Sequence, residues 1–592
     1  MAYSSLADIW SSFDVVERKR FASHDITAAL SELSQDSPEA EQRRYESMAF
    51  SFTPHRGKNE WNTYYASQWT FTKKDTGEEI HIPDIKDVTP DIIAYWESRA
   101  AVVVNPLLKM RYTGLVLDFK RKVTGLRPDY KSICIANIEA IIEVIDGDYP
   151  KYDTLELDYA ERALQLSIQF RNKGLQERVV DTFYQAHKRL SVDDYKPGVW
   201  GRIFDSLIAH RGVFSKYEVD IVNENIHRLE HIEAAALAEG EHTDRYAHIM
   251  EEQVDILCEY YHSIGQDDKI ESLLDRLLVC MKKSIPARGG MWGQMMLEQM
   301  QMRYRKYNLD KKANKLYVEI SDLGTLTLQE MKPIEYSVPF DGKIIEAFLL
   351  DALAGTMHDA LIRYIIEYIP VREEEIRRQK ENAEKYPLMD MVATVTIDSS
   401  GNTITRIGTG KDAEEHKLHH SMYENIRFTT PMMHLHMGRL RKEKQLSLDS
   451  LLELFDGSPL ITEDNKAFLI KGLEAYLQGD DMVCCHILVP LFEALLRRLM
   501  GMNGANILGA QQDPKEGNRY LSLDGLLDTD EAKACLKKDL ITYFRVLYVS
   551  PAGWNLRNLI SHGLLPSGSF NYMMSDRVVH SILILSQFRV KE

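Results

Sequence analysis

The chain has 592 residues, 44% apolar and 27% charged, with a formal net charge of −17. That length exceeds one ordinary hydrophobic core and predicts two to four domains. The acidic balance excludes a general nucleic-acid coat, which needs a basic surface. No apolar run approaches the roughly 18 residues of a membrane span. The start, Met1-Ala2-Tyr3-Ser4-Ser5, has neither the basic flank nor the apolar stretch of an export signal, so a cytoplasmic protein is expected.

In chain order, an amphipathic segment over residues 15–33 reads as helix. Between about 50 and 92 the pattern changes: Trp69-Thr70-Phe71-Thr72 and Ile80-His81-Ile82 flank Asp75-Thr76-Gly77, which predicts a small hairpin. From Pro90 to about Leu328 the apolar spacing predicts a run of helices, among them 159–171, 176–190 and 246–263. Helices of this length on short turns predict a solenoid-like stack without a fixed-period repeat. A charged helix over 371–385 follows, with Glu373-Glu374-Glu375 and Arg377-Arg378 read as a solvated face. A second hairpin is predicted from Met391-Val392-Ala393-Thr394-Val395-Thr396-Ile397 through Asp398-Ser399-Ser400-Gly401-Asn402 to Thr403-Ile404-Thr405. The expected segments are 1–92 (mixed helix and hairpin), 93–370 (helical array), 371–460 (linker with hairpin) and 461–592 (helical bundle), in a mainly α protein.

Several chemistries fail on residue type. Ile407-Gly408-Thr409-Gly410-Lys411 is not a phosphate loop, because Thr405 stands where the first glycine belongs and Asp412 follows the lysine. Neither a Gly-x-Ser-x-Gly elbow nor a His-Glu-x-x-His pair is present. His416, His419 and His420 have spacing that could hold zinc from one helix face, but no Cys or Glu partner is evident, so a solvated or partner-facing helix is expected and no metal. Gly501 to Gly509 reads as a turn without a nucleotide fingerprint. The six cysteines are scattered without Cys-x-x-Cys, as expected of small buried residues in a reducing compartment.

The residues that carry chemistry lie in Trp554-Asn555-Leu556-Arg557-Asn558-Leu559-Ile560-Ser561-His562-Gly563. An arginine can hold a phosphate through its fork of donors, and a histidine can move a proton near neutral pH. The same Arg-x(4–6)-His spacing recurs at Arg18/His24 and Arg427/His434, so context must decide. Pro431 predicts a break after Arg427, and Arg18 has no polar partner behind it. At Arg557, Ser550-Pro551 reads as N-cap and first helical residue. Leu556, Leu559 and Ile560 form the apolar stripe, and Gly563 is the stop. From Asp481 onward 12 Lys/Arg face 11 Asp/Glu, so this part of the chain does not share the acidic excess.

The motif resembles the active-site signature of the HEPN superfamily of helical ribonucleases: an arginine, a polar residue, then a histidine. The run His486-Ile487-Leu488-Val489-Pro490-Leu491-Phe492-Glu493-Ala494-Leu495-Leu496-Arg497 resembles the first long helix of a poorly characterised bacterial family with a HEPN-like C-terminal domain. Tyr95-Trp96-Glu97-Ser98-Arg99 and Asn105-Pro106-Leu107-Leu108-Lys109-Met110-Arg111-Tyr112 resemble that family's helical N-terminal part. The resemblance implies a homodimer sharing two Arg/His pairs, a role in bacterial defence, and an N-terminal array that quiets the nuclease until a protein or phage-derived trigger arrives.

RNA supplies its own nucleophile, the 2′-hydroxyl, already beside the phosphodiester. His562 is expected as general acid or base and Arg557 as phosphate clamp, with Asn558 orienting either. Glu493 and Arg497 are expected as substrate-contacting or supporting residues, with Glu493 alternatively a surface charge. No metal or cofactor is required by this chemistry. The alternative is a non-catalytic helical scaffold or sensor that dimerises and binds a nucleotide or a protein.

Overall fold

The computed structural model describes residues 3–34, 38–57, 59–73, 76, 78–238, 243–332, 339, 341–386, 388, 394–398, 400–408, 413–509 and 518–590. It is mainly helical, and among the described residues three sheets each have two antiparallel strands. The sequence reading divides the chain at 92, 370 and 460; the contacts gather it into two compact units. One comprises Met1–Arg288 with Met295–Tyr317, the other Gly289–Gln294 with Val318–Glu592.

In the first unit successive helices pack mainly against their sequence neighbours, as short turns between amphipathic segments require. Local rules set many boundaries. The helix Pro106–Thr124 starts on Asn105, whose Oδ1 accepts the Leu107 N–H at 3.0 Å, takes proline as its first residue, and stops at Gly125 with φ 74°. The predicted hairpin pairs Trp69 with Ile82 and Phe71 with Ile80; Asp75 and Gly77 of its turn lie outside the described residues.

Of the segment 15–33 expected as helix only Ser23–Ser31 is helical; the preceding helix, Leu6–Phe13, ends before it. The link is held open from afar. Asn105, fully buried, donates through Nδ2 to the carbonyls of Val15 (2.7 Å) and Arg18 (2.9 Å), and Arg20 adopts φ 61°. Arg18 and His24 therefore share no helix.

In the second unit the charged helix spans Arg372–Lys385, and strands Thr394–Ile397 and Thr403–Ile407 pair as predicted. Residues 391–393 and Ser399 of the expected hairpin lie outside the described set. Glu375 corrects the reading of a wholly solvated face. It is buried, and it accepts bonds from Ser421 Oγ (3.0 Å), Asn425 Nδ2 (2.5 Å) and Arg378 Nη1 (2.8 Å).

Pro431 also corrects an expectation, because Glu414–Glu443 is one continuous 30-residue helix. The proline sits on the exposed side of that helix, so the carbonyl it leaves without an N–H lies toward water. Nearby, Arg577 Nη2 bonds the Ile426 carbonyl at 3.3 Å.

The core of this unit runs from Leu353 to Leu585 and centres on the helices Glu414–Glu443, Asp481–Met502 and Tyr572–Leu585. Burial pushes His436 down to about 4 and His580 down to about 3, with Arg363 and Arg577 respectively adding to the effect. Both rings are thus neutral when folded and bind protons more readily once unfolded. Stability is therefore present above about pH 6.5 and lost as pH falls toward those values. Each ring is expected to cost about 2 kcal/mol between pH 7 and pH 5, read as a fall in the urea midpoint; a flat midpoint contradicts it.

Among the described residues no helix is long and apolar enough to cross a membrane. All six cysteines are unbridged, and Cys535 alone is only half-buried.

Candidate functional site

The motif helix is Leu556–Ser561, and it begins later than the sequence suggests. Ser550 is not its cap, because the Ser550 hydroxyl pairs with His419 Nδ1 at 2.9 Å. Residues 550–553 instead form a turn that returns the Trp554 N–H to the Val546 carbonyl at 2.7 Å. Gly553 lies against the Val546 backbone, where a Cβ would collide. Asn555, at φ 53°, then starts the helix without a side-chain cap. The far end follows the sequence rule. Gly563 has φ 63°, its N–H bonds Ile560 O at 3.1 Å, and the Leu564 N–H bonds Leu559 O at 2.8 Å.

Leu556 and Ile560 are the buried anchors, whereas Leu559 is only half-buried. Leu556→Ala is accordingly expected to cost about 2–5 kcal/mol through a core cavity, and Leu559→Ala less. Chemical denaturation of both variants reads the difference; equal losses contradict it.

Arg557 is aimed by its neighbours. Its Nε donates to Glu493 Oε2 at 2.9 Å and its Nη1 to Asn558 Oδ1 at 3.2 Å, while Asn558 Nδ2 donates to Asn555 Oδ1 at 2.7 Å. Glu493 is not a loose surface charge: its side chain is 13% exposed, and its Oε1 accepts from Arg497 Nη2 at 2.6 Å. Arg497 also bonds the Leu521 carbonyl at 3.3 Å and lies over the Tyr520 ring. One carboxylate thus holds two guanidinium groups, which fixes Arg557 but occupies part of its fork.

His562 stands at the helix end, exposed, and its ring has no hydrogen-bond partner among the described residues. The structure therefore brings Arg557, Asn558, Glu493 and Arg497 into one network. His562 adjoins it through the backbone, its N–H bonding Asn558 O at 3.1 Å.

The histidines at 416, 419 and 420 do not converge. His416 is exposed. His419 is buried against Ser550, where desolvation pushes it down to about 4, and His420 packs on Tyr423. Among the described residues, one group of three carboxylates, Asp148, Asp153 and Glu156, is close enough to share an ion. Arg20 and Arg189 already pair with them. A cavity of about 800 Å³ opens between the helices 372–385 and 414–443 and the second hairpin, and none of the motif residues lines it.

Sequence reasoning missed the polar side chains of the last helix. Asp576, Arg577 and His580 are all buried there, within the otherwise apolar run Val578-Val579 and Ile582–Leu585. Charged residues set inside an otherwise apolar helix were the available signal.

The chain was compared with protein-family models, curated proteins and solved structures; none of them matches it.

Proposed function

We propose that this chain is a metal-independent endoribonuclease of HEPN type, in which Arg557 binds the scissile phosphate and His562 transfers a proton. The supporting observation is the pairing of an arginine held by Glu493 and Asn558 with a solvent-open histidine at the end of the same short helix. The 2′-oxygen attacks phosphorus and the P–O5′ bond breaks, leaving a 2′,3′-cyclic phosphate and a 5′-hydroxyl. A single Arg/His pair makes a weak phosphate pocket. A two-fold interface through the C-terminal region doubles both groups, so a homodimer is part of the proposal.

The test is cleavage of total RNA by the purified full-length protein in EDTA, with end-group analysis and light scattering. Cleavage with those ends, at twice the 68.2 kDa chain mass, is the expected result. Failure to cut any RNA overturns the nuclease reading, and full activity at the monomer mass overturns the dimer. Activity lost in EDTA and restored by zinc or magnesium overturns metal independence. A second reading, a non-catalytic scaffold or sensor, is favoured by one observation: Glu493 already engages the Arg557 guanidinium.

A further inference from the structure

The segment from Trp554 to Tyr572 is laid across two long helices at two levels. At one level the Trp554 ring meets Tyr423 (6.1 Å) and Arg557 bonds Glu493. At the other the Phe570 ring meets His486 (5.0 Å) and the Tyr572 ring meets His434 (4.1 Å). His486 precedes Glu493 by seven residues, about 10 Å of helix; His434 follows Tyr423 by eleven, about 16 Å. The motif helix and His434 therefore lie along the same strip of the second unit, with His562 between the two levels in the chain.

His434 has what His562 lacks, a carboxylate that fixes its ring. Its Nδ1 pairs with Asp576 Oδ2 at 2.9 Å, and Asp576, with a 1% exposed side chain, also accepts from the buried Tyr476 hydroxyl at 2.5 Å. Arg441 braces Tyr476, bonding its carbonyl at 3.2 Å and lying over its ring at 4.8 Å. The His434 side chain is nevertheless 49% exposed. With Nδ1 engaged, Nε2 is the nitrogen left for a substrate, the arrangement that holds a general-base imidazole in one tautomer and orientation. Two turns earlier on the same exposed face stands Arg427, which has only a 3.4 Å pairing to Glu424 and a place over the Tyr423 ring. An exposed cation there suits the phosphate of a strand running along the helix.

We propose that His434, positioned by Asp576, is a second proton-transfer residue of this face, acting on an RNA strand whose neighbouring phosphate Arg427 holds. This rests on the nuclease reading. The 2′-oxygen–phosphorus bond forms as His434 Nε2 takes the 2′ proton. The P–O5′ bond breaks as the leaving oxygen receives a proton from water. Asp576 is a positioning residue.

The experiment uses full-length protein and two readouts. In the first, His434→Gln should lower kcat for RNA cleavage at least about 100-fold, the range of a lost acid–base group, with the protein still folded because the Gln amide can donate to Asp576 in place of the ring. Asp576→Asn should lower kcat while leaving KM unchanged. In the second, diethyl pyrocarbonate footprinting is run with an RNA oligomer carrying 2′-deoxyuridine, which lacks the nucleophile. His434 should be protected, while the exposed His227 and His248 of the first unit should not. Wild-type cleavage by His434→Gln, or absence of protection, overturns the inference; if His562→Ala is then inactive, the nuclease reading stands alone. A wild-type protein that cuts no RNA overturns both.

Discussion

His562→Ala and Arg557→Ala are each expected to lower RNA cleavage by two orders of magnitude or more, while the protein stays folded. The rate loss has two separate causes. A positioned proton-transfer group contributes about 10²–10⁴, and an aligned cation on the developing phosphorane charge contributes on a similar scale. The stability costs differ. His562 is exposed and its ring is unbonded among the described residues, so its removal should stay within about 0.5 kcal/mol, as for surface positions. Arg557 leaves Glu493, a largely buried carboxylate, with Arg497 as its remaining partner, so its removal should cost about 1–3 kcal/mol. The pair is read by single-turnover cleavage beside urea denaturation. His562→Ala cutting RNA at the wild-type rate would end the nuclease reading and leave the scaffold.

Arg577→Ala should give the largest loss of stability, about 4–6 kcal/mol. The Arg577 side chain is fully buried, and among the described residues no carboxylate is bonded to it. Its guanidinium instead donates to Thr430 Oγ1 (2.9 Å), Thr429 Oγ1 (2.6 Å) and the carbonyls of Tyr368 (2.8 Å) and Ile426 (3.3 Å). Truncation removes four bonds, takes the donor from the buried Tyr368 carbonyl and opens a cavity in the core, while the Ile426 carbonyl keeps Thr430 Oγ1 at 2.5 Å. A buried acceptor without a donor costs about 1–3 kcal/mol, which outweighs the relief of no longer burying a charge. Equilibrium unfolding within 1 kcal/mol of wild type would show that this network is not what ties the last helix to Glu414–Glu443.

What was legible in the sequence is what short-range physics controls. Apolar spacing marked the helices between Pro90 and Leu328, alternation marked both hairpins, and Gly563 marked the end of the motif helix, because each depends on residues within a turn or two of each other. The Arg557-Asn558 contact and the turn-by-turn pairing of Glu493 with Arg497 belong to the same class.

What only tertiary structure decided are the places where a buried polar group needed a distant partner. Ser550 reads as a cap locally, yet its hydroxyl goes to His419, 131 residues away. Residues 15–20 read as helix, yet the Val15 and Arg18 carbonyls go to Asn105 and the Val16 carbonyl to the Tyr149 hydroxyl. Pro431 reads as a break, yet the helix continues because the proline faces outward and the Arg427 carbonyl it leaves without an N–H lies on the exposed side. His434 looked like an incidental match, and only the return of the chain 142 residues later sets Asp576 behind it. Leaving such groups unpaired costs more than a local preference gains, so the fold places them by long-range pairing, which no window of sequence contains.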